Sequence, residues 1–141
     1  MILVVDASVA VKWFVNEPRA DIAMRLLASG HELAAPDYLR IEVGNTLLKS
    51  VRAGRLDAAD AAHGFARLDS AFSRLLASDA YLPDTFAIAA RHGGSLYDAA
   101  YISTATLLER PLVTDDERLV RTAVAAGVRV HQLASLPVSI A

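Results

Sequence analysis

Cysteine is absent from the 141 residues. That excludes thiol catalysis, zinc–thiolate sites and a disulfide framework, and it fits a reducing cytosol. Lysine is almost absent as well: Lys12 and Lys49 are the only two among 14 basic residues, set against 16 acidic ones for a net charge of −2. Such a balance argues against a strongly basic nucleic-acid binder, whose affinity comes from Lys and Arg on phosphates. An enzyme that grips phosphate through metal ions remains open. No apolar run approaches the roughly 20 residues of a membrane span. The stretch Met1 to Asp6 has neither a basic n-region nor a long apolar h-region. No membrane segment and no secretory signal are therefore expected. Internal repeats, low-complexity stretches and Pro/Ser-rich linkers are also missing. A single domain over residues 1–141 is expected, able to bury about 68% of its unfolded surface without staples.

Two hydrophobic periods alternate along the chain. Short β-rich runs stand at Ile2–Asp6, Glu32–Ala35, Leu112–Thr114 and Val128–Leu133. Between them, helical spacing predicts helices over roughly 7–15, 18–29, 38–53, 57–76, 84–92, 97–109 and 117–126. The stretch 57–76 shows the period best, with Ala61, Phe65, Leu68, Phe72 and Leu75 at three- and four-residue steps behind an N-cap at Asp57. Strands interleaved with helices predict an α/β fold with a mostly parallel sheet covered on both faces.

Acidic residues fall where strands end or helices begin. Asp6 closes the first strand, Glu42 lies about one turn into the helix after Pro36-Asp37-Tyr38, Asp98 opens the apolar stretch from Ala99, and Asp116 follows Leu112-Val113-Thr114. Ligands in open α/β sheets bind just beyond the carboxyl ends of strands. Carboxylates gathered there repel one another unless a cation intervenes. Each position also has a plainer reading. Asp6 is a natural N-cap, Ser95 with Asp98 resembles a capping box, and Glu42 shares a polar stripe with Asn45, Thr46 and Lys49. One of Asp115, Asp116 and Glu117 should cap the last helix. Three acids exceed that need, with Asp116 the first candidate ligand and Asp115 the lesser one. Ser8 is placed to support a carboxylate or a metal-bound water. His31, His63, His92 and His131 show no metal-ligand spacing.

The order of these motifs resembles the PIN-domain family, and most closely the VapC-type toxins of toxin–antitoxin pairs. The matching segments are Val5-Asp6-Ala7-Ser8-Val9 with Lys12-Trp13-Phe14, then Pro36 to Asn45, Tyr97-Asp98-Ala99-Ala100-Tyr101, and Leu112 to Leu119. The resemblance implies a three-layer α/β/α fold and a Mg²⁺- or Mn²⁺-dependent endoribonuclease whose acidic quartet is Asp6, Glu42, Asp98 and Asp116. It implies supporting roles for Ser8, Thr114 and Asn45, and it leaves Asp115 as the unusual residue. It further implies an RNA substrate, a homodimer and a cognate VapB-like antitoxin, all in the cytoplasm. Two rival readings remain. One is an aspartyl phosphotransferase using Asp6 as acceptor, against which Ser8 stands where such enzymes usually carry a second acid. The other is a catalytically inactive module that keeps the fold and only binds RNA or a partner.

Overall fold

The run Ile2-Leu3-Val4-Val5 is apolar at successive positions, as a strand buried on both faces must be. In the computed structural model, which describes residues 1–137 and 139–140, it forms the central strand β1 (Ile2–Val5). Leu3 and Val5 enter one apolar cluster with Ala23, Leu26, Leu33, Val113 and Leu133. Val4, pointing the other way, enters a second cluster with Leu39, Val43, Leu47, Tyr101, Ile102, Leu112 and Leu119. The period-two alternation of a strand thus feeds two cores.

Each core is closed by helices. Helix α1 (Ala7–Ala10) and a following 3-10 turn at Val11–Trp13 contribute to both. Helix α2 (Ala20–Ala28) covers the first face; α3 (Leu39–Arg52), α6 (Leu96–Leu108) and α7 (Glu117–Ala125) cover the second. Full burial of each Leu or Ile contributes roughly 1.5–3 kcal/mol, so these faces carry the α/β/α layering. Helix α4 (Ala58–Arg67) lies outside α3, where Gly44 admits the Phe65 ring against the α3 backbone. Helix α5 (Ser78–His92) runs along α6, with the Ser103 hydroxyl donating to the Tyr81 carbonyl at 2.9 Å.

The sheet has five strands: β1, β2 (Glu32–Pro36), β3 (Arg74–Leu76), β4 (Leu112–Thr114) and β5 (Val130–Gln132). Their order is β3-β2-β1-β4-β5, and every neighbouring pair is parallel. The chain leaves β1 toward β2 on one side and returns to β4 on the other. The carboxyl ends of β1 and β4 therefore flank the topological switch point, where open α/β sheets open a crevice.

Three elements depart from the sequence expectation. The helix expected over 57–76 stops at Arg67, passes through a 3-10 turn at Leu68–Ala71, and gives way to edge strand β3. Leu and Arg favour helix locally, but pairing Ala34, Ala35 and Pro36 with Arg74, Leu75 and Leu76 overrides that preference. Helix α5 begins at Ser78 instead of 84 and carries Pro83 within it. The helix expected over 7–15 is a short α-turn that tightens to 3-10 after Ala10.

Candidate metal centre

Asp6 leaves the end of β1 and caps α1, accepting from the Val9 N–H at 3.4 Å. The carboxylate that caps α1 also lies at the switch point, beside the end of β4. It is 4% exposed. The Ser8 hydroxyl donates to Asp6 Oδ1 at 2.7 Å and the Thr114 hydroxyl to Oδ2 at 2.8 Å. Each hydroxyl also accepts a backbone N–H from the β4–α7 turn: Ser8 from Asp115 at 2.9 Å, Thr114 from Asp116 at 3.0 Å. Two small hydroxyls thus bolt the ends of β1 and β4 together around one carboxylate.

Burial raises the Asp6 pKa to about 7 against the opposing hydrogen bonds from Ser8, Thr114 and Val9, and the charge of Glu42 raises it further. Glu42 reaches in from the first turn of α3. Its pKa is raised by burial and by the charges of Asp98 and Asp116. Asp98 stands in the first turn of α6, its N–H capped by the Ser95 hydroxyl at 3.1 Å. Burial raises its pKa and Asp116 adds to the rise, while Arg118 opposes it from 3.7 Å. Asp116 caps α7, with Oδ1 accepting from Arg118 N–H at 2.9 Å and Leu119 N–H at 3.4 Å. The four carboxylates are thus brought to one end of the sheet, close enough to perturb one another.

Among the described residues, two buried oxygens of this cluster accept no hydrogen bond: Glu42 Oε1, and Asp98 Oδ2, whose one charged neighbour is the Arg118 guanidinium at 3.7 Å. A buried carboxylate oxygen left unpaired is costly, and a cation relieves it. The donor set is all oxygen, which suits a hard ion such as Mg²⁺. Among the described residues, no three acidic or histidine side chains form a ready-made coordination shell. Mg²⁺ fits that looser arrangement, because it keeps several waters and binds through one or two carboxylates.

Asp115 points elsewhere. Arg19 holds it with two hydrogen bonds of 2.7 and 2.9 Å, and Lys12 Nζ lies 3.2 Å away. Burial pushes its pKa upward, but the Arg19 and Lys12 contacts prevail and lower it. Asn45 is exposed and lines a 550 Å³ groove between α3 and α4. Among the described residues, its side chain makes no hydrogen bond to the carboxylates. A second cavity, of 480 Å³, lies beside Tyr38 and Tyr97, whose rings stack at 5.0 Å between centroids. Neither cavity is lined by the quartet; a hydrated ion among side chains needs no such volume.

Sequence reasoning missed Tyr101. Among the described residues, its buried hydroxyl makes no well-formed hydrogen bond, yet it stands close enough to Glu42 to act on it. The signal was present, since Tyr101 follows Asp98 by three residues and so shares its helix face. Arg19, 41% exposed, left no signal at all.

Comparison with known proteins places this architecture. The PIN-domain family model matches residues 3–125. A protein named Ribonuclease VapC3, from Pyrobaculum aerophilum, is 36% identical over 121 residues, which cover 84% of this chain and 92% of that protein. Ribonuclease VapC1 of Mycobacterium tuberculosis is 31% identical over 117 residues, covering 82% and 86%. The crystal structure of PAE2754 from Pyrobaculum aerophilum superposes with a TM-score of 0.72 at 27% identity, covering 95% of this chain and 93% of that one. A family match across most of the sheet, relatives above 30% identity and a shared three-layer fold agree: this chain belongs to the PIN-domain family.

Proposed function

We propose that this chain is a divalent-metal-dependent endoribonuclease of the VapC type, the toxin of a toxin–antitoxin pair. The observation that carries the reading is the acidic cluster at the switch point, in which, among the described residues, the buried Glu42 Oε1 and Asp98 Oδ2 accept no hydrogen bond and only Asp98 has a cation near it, Arg118 at 3.7 Å. The relatives named Ribonuclease VapC3 and VapC1 support RNA as the substrate. Asp98 and Glu42, with Asp6 and Asp116, would hold Mg²⁺ or Mn²⁺. An ion bound there supplies charge against the phosphodiester oxygens and an activated water for in-line attack.

The chain's own groups do the rest. Ser8 and Thr114 fix Asp6 in one orientation, so its remaining lone pair is aimed before any ion arrives. Asp116 spends Oδ1 on the α7 cap, and its second oxygen faces the site by our reading. No His or Lys is needed as general base. Asp6, so enclosed, is a poor phosphoryl acceptor, which disfavours the phosphotransferase alternative.

The remaining assignments follow the same reading. A VapB-like antitoxin would silence the site most directly with a basic side chain, since Arg can occupy a carboxylate pair bidentately. A homodimer would bury some of the exposed apolar side chains, Ile41 at 64% and Phe86 at 74% among them. Cytoplasmic action fits a chain in which, among the described residues, no helix is long and apolar enough to cross a membrane.

The test is cleavage of total RNA by the purified protein with Mg²⁺ or Mn²⁺, with EDTA, and with Asp98→Asn. Cleavage that needs the metal and disappears in the variant, with the fold retained, supports the reading. Equal turnover by Asp98→Asn refutes the quartet.

A further inference from the structure

Lys12 and Arg19 lie outside the quartet, yet both reach the turn that carries its last member. Arg19 Nε and Nη2 stand 2.7 and 2.9 Å from the two oxygens of Asp115. Lys12 Nζ stands 3.2 Å from Asp115 Oδ2 and 2.9 Å from Glu17 Oε1. Lys12 is 7% exposed, and a cation so buried needs its partners. Asp115 is pinned a second time through its backbone, whose N–H donates to Ser8 Oγ, the group that itself donates to Asp6. The next residue is Asp116.

Arg19 makes its bidentate pair from a φ of 69°, in the left-handed region. A glycine adopts that conformation freely, whereas an arginine is strained there. An exposed ion pair contributes little stability in general. The side chain, then, accounts for an arginine at a position where glycine would fit the backbone better.

We propose that Lys12 and Arg19 are positioning residues of the carboxylate site: by closing an ion-pair network on Asp115 they keep it out of the quartet and fix the turn that carries Asp116. The inference rests on the metal-dependent reading above. Its charge logic is simple. Lys12 and Arg19 balance Asp115 and Glu17, so the network is neutral beside four acids among which, in the described residues, only Asp98 has an ion pair, with Arg118 at 3.7 Å. Without Arg19, Asp115 keeps only Lys12, which it shares with Glu17, and is freer to swing toward the quartet as a fifth carboxylate one residue from a ligand. An additional acid strengthens the hold on a cation, while displacing the waters and phosphate oxygen that Mg²⁺ must keep for catalysis.

Arg19→Gly tests this without straining the backbone, since glycine suits the observed φ. Three proteins are compared with the unsubstituted chain: Arg19→Gly, Asp115→Asn and the double variant. Mn²⁺ binding is titrated with the metal alone, and RNA cleavage is measured at saturating Mn²⁺. The expected outcome for Arg19→Gly is an unchanged melting temperature and tighter Mn²⁺ binding by about threefold, with kcat reduced about tenfold. KM changes little, and Asp115→Asn in the double variant returns both values to near the unsubstituted chain. An Arg19 that merely met RNA phosphate would load the loss on KM, and Asp115→Asn would not repair it; that pattern overturns the proposal. So does an Arg19→Gly protein with unchanged Mn²⁺ binding and kcat.

Amide hydrogen exchange of the metal-free proteins separates this inference from the reading it rests on. Exchange at the Asp115 and Asp116 N–H groups should quicken about tenfold in Arg19→Gly if the brace holds the turn. If the unsubstituted chain binds no Mn²⁺ and cuts no RNA, the nuclease reading fails, and faster exchange in the variant still supports the brace. Unchanged exchange at both amides refutes it.

Discussion

Raising the pH should weaken the metal-free protein, and a divalent ion should restore it. The cause is Asp6, whose pKa is raised from 3.8 to about 7 by burial. The unfolded chain releases this proton near pH 4, whereas the folded chain keeps it until about pH 7. Between those values the folded state binds more protons, so stability falls with rising pH. The loss begins near pH 4 and is complete above pH 7. A displacement of roughly three pKa units corresponds to about 4 kcal/mol at 1.36 kcal/mol per unit. Glu42 and Asp98, also raised by burial, act in the same direction. His131, whose pKa burial lowers, acts in the opposite sense, since charging it at low pH disfavours the fold. The Asp6→Asn variant subtracts the Asp6 contribution and leaves His131 in place.

The assay is urea denaturation followed by circular dichroism at pH 5.5 and pH 8, in EDTA and in millimolar Mn²⁺. In EDTA the unsubstituted chain should lose about 2 kcal/mol between the two pH values, the rest of the roughly 4 kcal/mol being lost already below pH 5.5, and Asp6→Asn should avoid most of it. Mn²⁺ should recover the loss at pH 8 and help little at pH 5.5, because a metal ligand must be deprotonated to bind. Equal stability at both pH values in EDTA, with the same profile in Asp6→Asn, would refute the reasoning.

Thr114→Val removes a buried hydroxyl that donates to Asp6 and accepts from Asp116. It should cost roughly 2–3 kcal/mol in denaturant unfolding and blunt the Mn²⁺ response, and Thr114→Ser should recover most of both. Tyr101→Phe deletes a buried hydroxyl that, among the described residues, makes no hydrogen bond, so the melting temperature should hold or rise, with a gain up to about 1 kcal/mol. A clear loss of stability in that variant would mean that the hydroxyl is bonded in solution.

Much of this structure was legible in the sequence, and what was not has physical reasons. β1 and β4 declared themselves because strands buried on both faces read as continuous apolar runs. The helices after them were marked by Asp6 and Asp116, which do cap them. β3 was hidden because Arg74-Leu75-Leu76 continues the helical spacing of Phe65, Leu68 and Phe72; only its pairing with β2 makes it a strand. The early start of α5 was hidden by Pro83, which reads as a boundary but sits inside the helix. At the site, the acids' positions at strand ends and the family resemblance suggested their convergence, but local sequence alone could not set their geometry. Local sequence presents Asp6, Glu42, Asp98 and Asp116 as caps or surface acids; the sheet order makes them neighbours. Asp115 illustrates the limit most clearly. Its partner Arg19 is 96 residues away, and no local pattern announces a contact at that range.

The pairing of β1 with β4 also sets when the site can exist. Thr114 and Asp6 are 108 residues apart and joined by one hydrogen bond, so the carboxylates assemble only after the chain has delivered its fourth strand. Contacts of such separation form late, because the intervening loop must be closed before they are rewarded. A chain holding only β1, β2 and α3 carries Asp6 and Glu42 but lacks Thr114, which orients Asp6. Prematurely terminated products ending before β4 therefore lack both Thr114 and Asp116. The carboxylate cluster is therefore assembled as a unit when β4 docks beside β1.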